Sequence, residues 1–154
     1  MRALVLAAAA ALALLACSRG PDSPEDAVRA ALAAIEQAAG DRDVDGVRAR
    51  ISDGYKDSRG NDKAAVVQVA AYHLLRNQVV HTFSLIQSVE IDEAGDARAS
   101  VLVAMAASPI PSAEALLAVN ADLYRFDVSL REEEPGLWRV VSAKWQPAAL
   151  EDFR

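Results

Sequence analysis

The chain has 154 residues, with 22 acidic and 16 basic side chains and a formal net charge of −6. This length suits one domain with its own core, and an acidic chain without basic runs is a poor partner for nucleic acid. A single cysteine excludes a disulfide framework and a thiolate metal site within the domain.

The first sixteen residues have the pattern of an export signal. Met1 and Arg2 give a short positive start, and an apolar run without polar side chains follows from Ala3 to Leu15. Such a run has the length of a signal-peptide h-region and is shorter than the roughly 18 apolar residues expected of a membrane-spanning helix. We therefore expect residues 1–16 to be a signal peptide.

The end of this run, Leu14-Leu15-Ala16-Cys17, resembles the bacterial lipobox, although Leu15 stands where a small residue is commoner. The resemblance implies cleavage before Cys17 and acylation of both its thiol and its new amine, and stable anchoring needs more than one acyl chain. In a host with an outer membrane, Ser18 implies sorting to that membrane, facing the periplasm. The alternative is an ordinary secretory signal with an incidental cysteine.

Residues 17–22 form a short polar tether, and the domain spans residues 23–154. Ser23 is an N-cap candidate for the first helix, Pro24 suits its first position, and Gly40 ends it. One face of this helix carries an apolar stripe at helical spacing: Val28, Ala31, Leu32, Ile35 and Ala38.

Two further helices are predicted, one from Asp43 to Ser52 and one from Lys63 to Gln78, separated by a loop from Tyr55 to Gly60. Asn61 or Asp62 can cap the third helix. We expect this helix to be largely buried, because its apolar face is wide: Ala65, Val66, Val69, Ala70 and Leu74.

The hydrophobic period then changes from 3.6 to 2, which predicts strands. A turn at Asp92–Asp96, a longer connection at Ser108–Ala121 with a helical turn inside it, and a solvated acidic turn at Glu132–Glu134 separate them. The four strands are Val79–Ile91, Ala97–Ala107, Leu123–Glu132 and Leu137–Trp145. Three helices followed by a four-stranded antiparallel sheet make the fold α+β.

Three short pieces accompany this element order: Pro24–Val28, Tyr55–Ser58 and Gly136–Val141. Together they resemble the nuclear-transport-factor-2-like superfamily, which includes SnoaL-like and ketosteroid-isomerase-like proteins. The resemblance implies that three N-terminal helices close a strongly curved antiparallel sheet around a conical pocket. Because the functions within this fold are diverse, the fold alone selects none of them.

Asp57 and Tyr55 have the residue types of an isomerase-like site, in which a carboxylate moves a proton and a tyrosine stabilises the enolate. Asp57, however, lies in a polar run where a solvated loop aspartate is the simpler interpretation. No second acid stands out on an apolar strand face, so no residue is assigned as catalytic.

Two histidines, His73 and His81, are too few for a metal site and are interpreted as partly buried structural residues. No cofactor is indicated. Tyr72, Tyr124 and Trp138 lie on elements expected to face the cone interior. They either line a ligand pocket or fill the core, and the core interpretation is favoured.

The last strand is apolar on both faces, so its outer face needs cover, either from a partner subunit or from Ala148–Phe153. Members of the superfamily often dimerise through this outer face, which implies a homodimer.

Three functions remain open. The first is a non-catalytic, membrane-anchored envelope module that binds a small apolar molecule or another envelope protein. The second is a structural homodimeric assembly subunit. The third is an isomerase, cyclase or dehydratase that uses the cone.

Overall fold

The computed structural model describes residues 21–76 and 81–154. The predicted signal peptide and Cys17 lie outside the described residues, as do the proposed first two residues of strand one. The described elements, in chain order, are helices α1 (Pro24–Gly40), α2 (Val44–Ala49) and α3 (Lys63–Arg76), followed by strands β1 (His81–Ile91), β2 (Ala97–Ala106), β3 (Ala121–Glu134) and β4 (Leu137–Pro147). The predicted α+β order is confirmed.

Two 3₁₀ turns complete the described elements, one at Glu114–Leu117 inside the β2–β3 connection and one at Leu150–Phe153 after β4. The first falls within the stretch where a helical turn was predicted. None of the helices in residues 21–76 and 81–154 has both the length and the apolar character to cross a membrane.

The helix starts follow their capping residues. Ser23 Oγ accepts a hydrogen bond of 3.1 Å from Asp26 N at the start of α1, and Asp43 Oδ1 accepts one of 2.9 Å from Gly46 N at the start of α2. α2 ends earlier than predicted because the following backbone joins the sheet. Ser52 N donates to Val140 O at 2.9 Å, which attaches this segment to the free edge of β4.

The sheet is curved and antiparallel, in the order β1-β2-β3-β4. Paired residues on adjacent strands share a face, so the register defines each surface. One row, on the face that carries the helices, contains Ile86, Val101, Phe126 and Trp145.

The first core lies between this inner face and the helices. The α1 residues Val28 and Ala31 pack there with Ala97 and Leu130, and Val28, Ala97 and Leu130 have no exposed surface. Apolar burial of this kind contributes about 25 cal/mol per Å² to folding.

The second core covers the opposite, outer face of the sheet. Leu102 and Ala104 of β2 pack there against Ile110 and Leu116 of the β2–β3 connection and Phe153 of the final turn. An ion pair of 2.9 Å between Arg125 Nη2 and Asp152 Oδ1 ties the C-terminal segment to β3.

The prediction that the last strand is apolar on both faces is wrong, because a register shift between Ser129 and Leu130 places its apolar residues on the inner face. The C-terminal segment covers the outer face of β2 and β3 instead. Another row of the outer face is polar and contains Ser100, Asp127 and Lys144. The homodimer stays a prediction. Both cores consist of residues between Ala27 and Phe153, so the domain carries its own core.

The expectation that the third helix is largely buried is wrong. Val67 and Leu74 are its buried residues, whereas Val69 is 39% exposed, Tyr72 58% and Leu75 56%. The reason is that α3 packs mainly on α2, and the α3 residues that reach the first core are Val66, Val67, Ala70 and Leu74. The apolar pattern of the sequence is wider than this contact.

The acidic run predicted as a solvated turn is instead part of β3. Glu133 accepts a hydrogen bond from Ser52 Oγ and pairs with Arg139 Nη1 at 2.8 Å. Glu132 Oε1 accepts a hydrogen bond of 2.6 Å from Gly136 N, and Gly136 has a φ of +76°, which glycine adopts without strain. The turn is correspondingly short.

Candidate functional site

Aromatic rings lie side by side on the inner face of β3 and β4. Phe126 and Trp145 are paired in register, with ring centroids 6.3 Å apart and an interplanar angle of 25°. Tyr124, two residues along β3, has its ring centroid 6.3 Å from that of Phe126. All three are partly exposed, and together they form an aromatic row.

This aromatic row lies at the open end of the curved sheet. Along β3 the exposed fraction is 0% at Leu130 and 9% at Val128, and it increases further at Phe126 and Tyr124. Along β2 the exposed fraction of the inner residues increases in the same direction, from the buried Ala97 to the partly exposed Met105. The helices therefore close one end of the inner face and leave the other end accessible.

Arg59 lies at the edge of the aromatic row. Its guanidinium carbon is 4.8 Å from the Trp145 ring centroid, which is cation–π geometry. The side chain is exposed. Within residues 21–76 and 81–154, no carboxylate lies within ion-pair distance of this guanidinium.

Asp57 is buried, so its interpretation as a solvated loop residue is wrong. Its Oδ1 accepts hydrogen bonds of 2.9 Å from Arg59 N and from Asn61 N, and its Oδ2 accepts one of 2.8 Å from Asn61 Nδ2. The Asn61 side-chain amide is the main cause that lowers the pKa of Asp57, against the opposing effect of burial. A carboxylate held in this way organises its loop and is a weak base.

Tyr55 is buried beside Asp57, with 2% of its surface exposed. Its hydroxyl makes no hydrogen bond of good geometry to any described residue. Burial first, and then the charge of Asp57, raise the pKa of Tyr55 to about 12. Tyr55 and Asp57 are therefore neighbours, but they form a buried structural pair and not an exposed acid–base pair.

The remaining aromatic candidates divide between surface and core. Tyr72 does not face the cone interior; it is exposed on α3, where its hydroxyl accepts a hydrogen bond of 3.0 Å from Arg76 Nη1. The orientation of α3 toward α2 turns this side chain outward. Trp138 is buried in the first core, where it fills volume as favoured. Tyr124 is the predicted candidate that lies in the aromatic row.

The two histidines differ. His73 was expected to be partly buried and is exposed on α3, with its ring edge-on to Tyr72 at 5.5 Å. His81 is partly buried at the start of β1, as predicted. Within the described ranges, no group of three or more His, Cys, Asp or Glu side chains is placed to hold a metal ion.

Sequence reasoning missed four residues of the open end. Phe126 and Trp145 fall within predicted strands and Arg59 within the predicted loop, but none of the three was proposed as a site residue. Glu36 extends the apolar stripe of α1 at a spacing of four residues from Leu32, which could have identified it. Its Oε2 accepts a hydrogen bond of 2.5 Å from Ser84 Oγ on the inner face of β1.

A separate groove of about 520 Å³ lies between α2 and α3. Its two cations already have partners, because Arg48 pairs with Asp45 and Lys63 pairs with Asp53. None of the candidate residues lines this groove, which has Arg48, Lys63, Ala64, Val67, Gln68 and Ala71 in its walls.

No protein-family profile matches the chain, and no curated protein matches it in sequence. Solved structures do match it. A candidate dehydratase of the nuclear-transport-factor-2-like family from Streptomyces avermitilis has a TM-score of 0.61 and 14% identity, over 84% of this chain and 99% of the other.

A ketosteroid isomerase-like protein from Erwinia carotovora atroseptica has a TM-score of 0.59 and 17% identity, over 83% of this chain and 98% of the other. A protein of unknown function from Pseudomonas putida, also nuclear-transport-factor-2-like, has a TM-score of 0.57 and 20% identity, over 84% and 91%. The chain therefore has the nuclear-transport-factor-2-like fold, and these similarities extend to the fold alone.

The structural role of Asp57 predicts that the effect of Asp57→Asn on the Tm depends on pH. Because folding lowers the pKa of Asp57, its charged form stabilises the fold above the unfolded value of 3.8, and this contribution is lost as the pH falls through the folded value. Thermal unfolding should show a lower Tm for Asp57→Asn at neutral pH, with a difference from the unchanged chain that shrinks below pH 3.8.

The exposed Asp122 provides the matched control, since Asp122→Asn should leave Tm unchanged at both pH values. A Tm for Asp57→Asn equal to that of the unchanged chain at neutral pH would contradict the structural role.

Proposed function

We propose that this chain is an envelope lipoprotein, anchored through lipid on Cys17 in the outer membrane and facing the periplasm. Its domain binds a small apolar molecule at the open end of the sheet and acts without catalysis. The observation that supports this most is the aromatic row, whose three rings stay partly exposed while Leu130 and Val128 on the same face of β3 are buried.

A preformed apolar surface favours binding because a ligand removes it from water at little conformational cost. Phe126 and Trp145 are held by strand pairing, so their positions do not have to be ordered when a ligand arrives. Each Å² of apolar surface that the ligand covers is worth about 25 cal/mol. Concave, mostly apolar sites with few polar groups are typical of small-molecule binding.

The absence of catalysis is proposed from the state of the two residues with isomerase-like chemistry. Asp57 has its oxygens hydrogen-bonded to three loop donors, and the pKa of Tyr55 is raised to about 12. General acid–base catalysis works best with a pKa near the operating pH and with access to the substrate. Both residues are buried and titrate far from neutrality.

The direction of α1 supports exchange of ligand with the periplasm. The end of α1 lies toward the open end of the sheet. There Glu36 accepts a hydrogen bond from Ser84, and a Cβ atom built on Gly40 would lie 3.6 Å from Thr82 Oγ1. The start of α1, where the tether joins, is therefore at the closed end. A helix of this length spans about 25 Å, which separates the open end from the anchoring bilayer.

Replacement of an aromatic-row residue should weaken the binding of an apolar probe. We expect Trp145→Ala to raise the Kd for N-phenylnaphthylamine about tenfold, because part of the apolar wall is lost. Fluorescence titration of the chain from Ser18 to Arg154 measures this. Tyr72→Ala is the matched control, since Tyr72 is an exposed aromatic residue outside the site. Equal Kd values for the unchanged chain and both variants would refute the site.

Cys17→Ala tests the anchor. Without the thiol there is no acylation site, so the protein should leave the lipid phase in a detergent partition assay of envelope fractions. Its unfolding transition should be unchanged, because both cores lie between Ala27 and Phe153. A Cys17→Ala chain that still partitions with lipid as the unchanged chain does would contradict the lipoprotein proposal.

A further inference from the structure

We infer that the ligand of the open end is an amphipathic anion, a molecule with an apolar body and a single carboxylate or phosphate head that Arg59 receives. This inference rests on the proposed binding function and specifies its ligand class.

The arrangement of the side chains favours a ligand with two chemically different ends. The Arg59 guanidinium carbon lies 4.8 Å from the Trp145 ring centroid, and the Trp145 ring stacks with Phe126. Phe126 in turn contacts Tyr124. A cation therefore stands at one edge of a continuous apolar surface, so that a head at Arg59 places the body of the ligand along the aromatic row.

The charge of Arg59 is available to a ligand. Some other arginines of the described chain are already in ion pairs: Arg125 with Asp152, Arg131 with Asp96, and Arg139 with Glu133. Arg59 has the Trp145 ring against it but no carboxylate within 4.0 Å among residues 21–76 and 81–154. Stacking uses the face of the guanidinium and leaves its N–H edge free for the two oxygens of an anion.

The loop that carries Arg59 is preorganised. Asp57 Oδ1 accepts hydrogen bonds from both Arg59 N and Asn61 N, and Gly60 N donates to Asp57 O at 3.0 Å. The backbone on either side of Arg59 is therefore fixed before any ligand binds. Less conformational entropy is lost when the guanidinium meets an anion, and preorganisation of this kind increases affinity.

The test compares probes that share one tail and differ in the head. Dodecanoate, dodecyl phosphate, dodecanol and dodecyltrimethylammonium compete below their micelle concentrations with N-phenylnaphthylamine on the chain from Ser18 to Arg154. We expect both anions to bind about tenfold more tightly than dodecanol, which corresponds to one charge-assisted interaction. The cation should bind most weakly. Added salt should reduce the preference for anions.

Arg59→Gln should remove the difference between the Kd values of dodecanoate and dodecanol. Arg59→Lys should keep only part of this difference, because lysine has the charge but lacks the planar guanidinium that binds two oxygens at once. Arg98→Gln is the matched control, as Arg98 is an exposed arginine on the outer face of the sheet. Thermal unfolding of each variant verifies that the fold is intact.

Three outcomes separate the two proposals. A preference for anions that Arg59→Gln removes supports the inference. Equal binding of dodecanoate and dodecanol overturns the inference and leaves the apolar binding function standing, with Arg59 reduced to a cover for Trp145. Binding of none of the four probes overturns the proposed function together with the inference.

Discussion

The structure depends on one constraint, which is that the central strand β2 is apolar on both faces over much of its length. In β2, Ala97, Ala99 and Val101 face the helices, while Leu102 and Ala104 face the opposite side. Each face therefore needs its own cover. α1 covers the closed end of the inner face, and the β2–β3 connection and C-terminal turn cover the outer face. The inner face at the open end is covered least.

The candidate site follows from that distribution of cover. The residues of the aromatic row continue the same inner alternation that is buried at Leu130 and Val128. They are partly exposed because the end of α1 lies against Thr82 and Ser84 of β1, at the opposite side of the sheet from β4, and because α3 packs on α2 instead of crossing the sheet. The site is thus an uncovered part of the core surface, with a cation beside it.

The sequence predicted the element order, the capping by Ser23 and the strand alternation, because each of these depends on local spacing. It did not predict the burial of α3, since an apolar pattern does not say which neighbour covers it. It also missed the burial of Asp57, which depends on donors within its own loop. The contact between Arg59 and Trp145 joins distant parts of the chain, and no local pattern encodes it.

Native mass spectrometry tests the central claim most directly, that the open end holds an apolar anion. The sample is the chain from Ser18 to Arg154, produced in the envelope of its own host. We expect one bound amphipathic anion per chain, and none on a Trp145→Ala variant made in the same way. If the unchanged chain also carries no ligand, as expected of the variant, the claim that the open end holds an apolar anion is contradicted.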